Sequence, residues 1–236
     1  MHKLAIILLF SCSVIAQKNI RVEYTAKVNP LEKKFNFDRL QQAFDYAVEN
    51  DDNFRFELLI SNKQTRFTKI SVMPVSESPY LNNIALNFTG YAGEVYNFEE
   101  AIYSECFSYG TDLLLKKPKK ENWVLTNETK EIDGYLCYKA TNIYKVVNYE
   151  KTFNHPVVAW YCPKLPYSFG PNGYGNLPGL ILELQVRNVV FGLKKIEFNS
   201  ELTFDFSFLK TVKTISEEEL NTRLQKQHEA EFKNFR

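Results

Sequence analysis

A curved antiparallel β-sheet, forming a half-barrel or bowl with one N-terminal helix packed in its concavity and one C-terminal helix, is the fold this sequence predicts; its class is mainly β (α+β). Three observations predict it. Long stretches alternate apolar and polar residues with period two, the mark of a sheet with one buried and one wet face. Two stretches, one near each end, shift to helical spacing. Aromatic residues make up 15% of the chain against only 9 Gly and 9 Pro, a balance that suits a β-rich core and not disorder.

The elements follow in chain order. Met1-His2-Lys3 gives a short basic start, Leu4 to Phe10 is wholly apolar, and Val14-Ile15-Ala16 offers a cleavage site. Residues 1–16 therefore read as an export signal, removed to leave Gln17 first in a protein of the periplasm or envelope. The apolar run is shorter than the roughly 20 residues a membrane span needs. Cys12 follows bulky Phe10 where a lipoprotein signal would carry a small residue. Residues 17–236 then read as a single domain, since no repeat, low-complexity tract or linker divides them.

Val22, Tyr24, Ala26 and Val28 alternate with charged and polar neighbours, as do Phe54, Phe56, Leu58 and Ile60, and each set predicts a strand. Between them Phe37, Leu40, Phe44, Ala47 and Val48 recur at helical spacing behind Asn36, the expected N-cap. Met73 to Gly93, with Pro74, Pro79, Gly90 and Gly93, reads as a long irregular loop. The run Lys116-Lys117-Pro118-Lys119-Lys120 and the pairs Asp133-Gly134 and Asn199-Ser200 read as turns. Strands near 135–146 and 154–163 form a hairpin about Tyr149-Glu150. Leu202, Phe204, Phe206 and Phe208 alternate like a further strand. Ser216 and Glu219 make a capping box for the last helix, whose first turn carries Glu217 and Glu218 as the macrodipole favours.

Charge narrows the function classes. Of 29 basic residues only Lys3 lies in the signal, so the remaining chain balances 28 basic against 28 acidic residues. That neutrality argues against nucleic-acid binding, which needs a basic face, and against electrostatic attachment to anionic lipid. The lysines around Pro118, with Glu121, Glu128 and Glu131 close behind, read as a solvated hairpin end. No Gly-x-Ser-x-Gly elbow, phosphate loop or His-Glu-x-x-His is present. Beyond residue 16 the histidines are His155 and His228 alone, so a Cys/His metal cluster is not expected, nor any cofactor. Cys106, Cys137 and Cys162 survive cleavage. In a hairpin turning about 149–150, positions summing to 299 face each other, and Cys137 and Cys162 do so. Opposed positions lie about 4.5–5.5 Å apart, within disulfide reach, so this pair is expected to bridge and leave Cys106 free.

The most distinctive stretch runs from Ala159-Trp160-Tyr161-Cys162-Pro163 through Gly170-Pro171 to Asn176-Leu177-Pro178-Gly179-Leu180-Ile181. It resembles the signature of the GLPGLI family, secreted proteins of Bacteroidetes-type bacteria, with Asn176 in place of the first glycine of the name. Asn122-Trp123, Thr129 to Ile132 and Gly134 to Thr141 resemble the family's upstream block. The resemblance implies a bowl-like fold akin to periplasmic lipoprotein carriers, related to an accessory N-terminal domain of some bacterial peptide-N-glycanases. It implies no chemistry. Asn176 suits the substitution, because Asn tolerates left-handed backbone best among non-glycine residues.

Cys162 to Gly179 carries Pro163, Pro166, Pro171 and Pro178 with Gly170, Gly173, Gly175 and Gly179, a stiff and tightly bent segment that displays Tyr167, Phe169 and Tyr174. Two readings stand beside each other: a preformed rim of a ligand cleft, or a crossover that covers the bowl and plugs it with aromatics. Leu177-Pro178-Gly179-Leu180-Ile181 holds no titratable or nucleophilic side chain, so it reads as scaffold, with Gly179 at positive φ turning the chain into a strand over Leu180 to Val186. The function expected is a non-enzymatic binding or carrier-type module for an apolar ligand or a protein partner. The alternative is an accessory glycan- or peptide-recognition module of a nutrient-uptake or hydrolase system, for which exposed Tyr167, Phe169 and Tyr174 would stack on sugars.

Overall fold

The structure, a computed structural model, describes residues 19–32, 34–71, 79–105, 113–148 and 151–234. The signal, Cys12, Cys106, residues 73–78 of the expected loop and the turn at Tyr149-Glu150 lie outside the described residues.

Strand β1 (Asn19–Val28) is the middle of the molecule. Its apolar set, Ile20, Val22, Tyr24, Ala26 and Val28, is buried, as its alternation predicts. It pairs on one side with β2 (Arg55–Ser61), which begins an antiparallel meander through β3 (Gln64–Lys69), β4 (Val95–Phe98), β5 (Ala101–Glu105) and β6 (Leu113–Pro118). On its other side β1 meets β11 (Val189–Ser200), then β10 (Leu180–Val186), β9 (Lys151–Cys162), β8 (Tyr135–Asn148) and the edge strand β7 (Val124–Ile132). Strand β12 (Lys213–Ile215) adds to β6 in parallel, an exception to the all-antiparallel expectation. Among the described residues the result is one open, curved sheet of 12 strands.

The connectivity explains the curvature. β6 and β7 stand ten strand steps apart in the sheet, about 48 Å if it were flat at the usual strand spacing. Yet Pro118 and Val124 are six residues apart in the chain, which spans at most about 21 Å when extended. The sheet must curl until its ends approach each other, and the 119–123 segment bridges the gap.

The two faces carry separate cores. Inside the bowl, Tyr24, Phe56, Phe67 and Phe191 pack ring against ring, with Val95, Ile102 and Leu184 in the same cluster. On the opposite face, Tyr96, Phe98 and Tyr103 pack with Phe206 and Leu209. Residues 202–208 supply that outer cover. They were expected to form a strand, but residues 201–206 are irregular and Ser207–Lys210 is a 3-10 turn. Phe204 lies on Tyr96 and beneath the Arg66 guanidinium, so these aromatics lie across the sheet's outer face and do not extend its ladder.

Helix α1 (Asp38–Glu49) buries Ala43, Phe44 and Ala47 within the bowl. Phe37, and not Asn36, occupies its N-cap, with no side-chain hydrogen bond there. A second helix, α2 (Pro79–Asn87), stands within the stretch read as an irregular loop. Phe88 just beyond it packs edge-on against Phe44 and close to Phe35. Helix α3 (Glu217–Asn234) starts as expected: the Glu219 amide donates to Ser216 Oγ at 3.1 Å.

Candidate functional site

The residues from Cys162 to Leu180 run over the open side of the bowl and are tied down at each bend. Residues 171–174 form a tight turn that enters the bowl, with Asn172 (φ 52°) and Gly173 (φ 76°) both left-handed, and a Cβ on Gly173 would fall 2.9 Å from Val95 Cγ1 and 3.2 Å from Ile102 Cγ2. Asn172 Nδ2 donates to the Gly90 carbonyl at 3.2 Å. Asn176 is left-handed, with φ 61°, as its place in the signature led us to expect; its amide donates to Ser168 O at 2.9 Å and its Nδ2 to Lys120 O at 3.0 Å. The indole of Trp123 donates to Gly175 O at 2.9 Å. This segment therefore holds the 119–123 bridge that joins the two ends of the sheet.

The signature residues themselves pack. Leu177, Leu180 and Ile181 are buried, as are Tyr161 and Pro171, while Pro163 and Pro178 are exposed. Gly170 lies against Ile181, where a Cβ would fall 2.7 Å from the isoleucine Cβ. Gly179 has φ 156°, positive as expected but in the extended glycine region and not the left-handed helical one. Strand β10 starts at Leu180, and its ladder to β9 slips at Leu182. There the Ile181 carbonyl accepts from the buried Tyr24 hydroxyl at 2.7 Å. Burial pushes the Tyr24 pKa up, keeping this donor protonated. Trp160 is half-buried beneath the Lys130 ammonium, 4.6 Å from its ring, and Lys130 pairs with Glu183 at 2.6 Å.

The hairpin register is the expected one: Tyr138 faces Tyr161, Ala140 faces Ala159, and Asn148 faces Lys151. Cys137 and Cys162 are the next residues on the two strands, one step beyond the last facing pair. Both are buried and both thiols are free, so the expected bridge is not formed in this structure. Burial and the neighbouring Cys162 push the Cys137 thiol up to about 12.

The three aromatics proposed as a stacking platform are not displayed. Tyr174 is buried, and Tyr167 and Phe169 are half-buried against the core. Tyr174 alone among them lines a partly open cavity of about 490 Å³ between the sheet and the helices. Its apolar wall comes from Phe35, Phe44, Phe88, Val95, Ile102, Val189 and Phe191. Its polar side comes from Lys117, Lys120, Tyr144 and Arg187, with no carboxylate among the described lining residues. Lys117 and Lys120, expected in a solvated hairpin end, thus line this space; the curl of the sheet carries them there. Sequence reasoning missed Tyr144 and Arg187 as well, because their place on this cavity is set by that same curl and not by any local spacing.

A separate polar cluster sits beside β4. Glu94 pairs with Arg66 and accepts from Thr68 Oγ1 at 2.8 Å and from the Tyr96 hydroxyl at 2.5 Å. Burial works to raise the Glu94 pKa, and the bonds from Arg66, Tyr96 and Thr68 outweigh it, leaving it below the usual value. No group of three or more His, Cys, Asp or Glu among the described residues could hold a metal ion. No helix among them is long and apolar enough to cross a membrane.

Comparison with known proteins places only part of this chain. No curated protein matches it. Two crystal forms of one protein are similar in shape: "Structure of PNGF-II in P21 space group", at 13% identity and TM-score 0.49, aligned over 84% of this chain and 31% of that one, and "Structure of PNGF-II in C2 space group", at 12% identity and the same score, over 87% and 32%. The chain thus spans about a third of the length of those structures. Residues 148–183, which cover β9 and the tied-down segment up to the start of β10, match the family described as "Protein of unknown function (Porph_ging)".

Proposed function

We propose that this chain is an exported, non-enzymatic binding module that holds an apolar ligand inside its bowl. The cavity is the observation that carries the proposal. Its volume of about 490 Å³ falls within the range of roughly 300–1,000 Å³ common for small-molecule sites, and like them it joins an apolar wall to a few polar groups. Phe35, Phe44 and Phe88 close it from the helix side, while Val95, Ile102 and Phe191 close it from the sheet. Burial of Tyr174 and partial burial of Tyr167 and Phe169 favour this interior site over a glycan platform on the surface. Export rests on residues 1–16, and kinship with GLPGLI proteins rests on residues 176–181. Native mass spectrometry of protein purified from its source cells tests the proposal. The expected spectrum shows a retained apolar small molecule, released when the protein is denatured. Ligand-free protein that also fails to take up added apolar compounds would overturn it.

A further inference from the structure

We propose that the ligand is an amphiphile with an anionic head, seated with that head against Lys120 and its apolar part against Leu31, Phe35 and Phe88. This deepens the binding reading above and rests on it. The charge lining the cavity is of one sign: Lys117, Lys120 and Arg187 face it, and no Asp or Glu among the described residues does. In a chain whose charges nearly cancel, that one-sidedness is local and makes the cavity complementary to an anion.

Lys120 is the sharpest part of the pattern. Its ammonium stands 4.4 Å from the Tyr174 ring centre and 5.2 Å from that of Tyr144, with the Tyr174 hydroxyl 3.3 Å away. Two ring faces attract a cation but carry no neutralising charge. Among the described residues no carboxylate lies within 4 Å of it, and Glu217, the acid that acts on it at longer range, is paired with Lys117 at 3.5 Å. Burial, and then the like charge of Lys117, depress the Lys120 pKa, the response of an ammonium that lacks a counter-ion. An anionic head placed here would supply it. The backbone of Lys120 is fixed by the Asn176 amide, so the signature segment positions the cation. Arg187, at φ 57° in the tight β10–β11 turn, is exposed at the cavity and has no ion pair among the described residues.

Four compounds with a sixteen-carbon chain test this on the full chain of the protein after ligand removal: hexadecanoate, hexadecyl phosphate, hexadecanol and hexadecyltrimethylammonium. Each is measured by displacement of the neutral fluorophore N-phenyl-1-naphthylamine. Both anions are expected to bind about tenfold or more tighter than hexadecanol, with the ammonium compound weakest. Preference for the phosphate over the carboxylate assigns the head to the phosphate class, and the reverse order assigns it to fatty-acid anions. Lys120→Met is expected to bring hexadecanoate down to the level of hexadecanol while fluorophore binding persists, and Lys120→Arg to keep the preference. Equal binding of hexadecanoate and hexadecanol by the wild-type chain overturns the proposal, and this series decides even if Lys120→Met fails to fold. A preference retained by a folded Lys120→Met variant overturns it too. Failure of the fluorophore and of every chain compound to bind would instead refute the apolar site itself.

Discussion

The hydroxyl of Tyr24, at the centre of β1, donates a 2.7 Å hydrogen bond to the carbonyl of Ile181, 157 residues later, where the β10 ladder slips. A bulge leaves a backbone group without its ladder partner, and in a fully buried position that group needs another donor. One phenol therefore joins the central strand to the signature peptide.

Removing that phenol should be felt. Tyr24→Phe keeps the ring packing against Phe67 but leaves the Ile181 carbonyl unsatisfied, a loss of about 1–3 kcal/mol. Urea unfolding checks it: the midpoint should fall at unchanged slope. Unaltered stability would mean that another donor serves this carbonyl.

Gly179 should tolerate no side chain. A Cβ there would fall 2.2 Å from the Cys162 carbonyl oxygen and 2.5 Å from its carbon, both backbone atoms that cannot swing away. With its φ of 156° added, Gly179→Val should cost about 3 kcal/mol, the top of the usual range for a strained backbone position. Ligand binding by the folded fraction should be unchanged. A Gly179→Val protein with wild-type melting temperature and lost binding would move the signature from scaffold to site.

Acid should weaken the β3–β4 region through Glu94. Because its folded pKa is depressed, its contribution is present above its unfolded pKa and is lost as pH falls through the folded one. Between about pH 5 and pH 3 the wild-type chain should therefore lose more stability than Glu94→Gln, which is already destabilised at neutral pH. Parallel stability curves for the two would contradict this assignment.

Oxidation should join Cys137 to Cys162. Cys137 and Cys162 are the residues next to Tyr138 and Tyr161, the last facing pair of the hairpin. Exchange with glutathione disulfide would oxidise both and release two glutathione thiols. The high pKa of the Cys137 thiol should make this slow in the folded protein and faster during refolding. Peptide mapping without reduction should find the Cys137–Cys162 link; a bridge from Cys106 would refute the pairing.

Much of this architecture was legible in the sequence. The alternation of Val22 to Val28 and of Phe54 to Ile60 marked central strands because one face of each is wholly buried. The β8–β9 register followed from a tight turn, and Leu180 to Val186 was delimited by Pro178 and Gly179. Phe204 and Phe206 misled, since alternation signals a buried face but cannot say whether the chain joins a ladder or lies across one. Helix α2 was hidden by Pro79 at its start and by Pro74, Gly90 and Gly93 on either side of it, although Ser78-Pro79 is a helix-start pair that could have exposed it. The cavity left no local trace at all. Lys120, Tyr144 and Tyr174 meet, with Arg187 lining the same cavity, only because the sheet curls back on itself, and Tyr174 was singled out for a display on the surface that it does not make.

If ligand sits in the cavity, filling the cavity should exclude it. Ser104, half-buried on β5, lines it. N-phenyl-1-naphthylamine should bind the ligand-free wild-type chain saturably at one site. Ser104→Phe, whose ring would occupy that space, should weaken binding about tenfold or more without lowering the melting temperature. A wild-type chain that does not bind the fluorophore, or a folded Ser104→Phe variant that binds it equally well, would mean that the cavity is not a binding site.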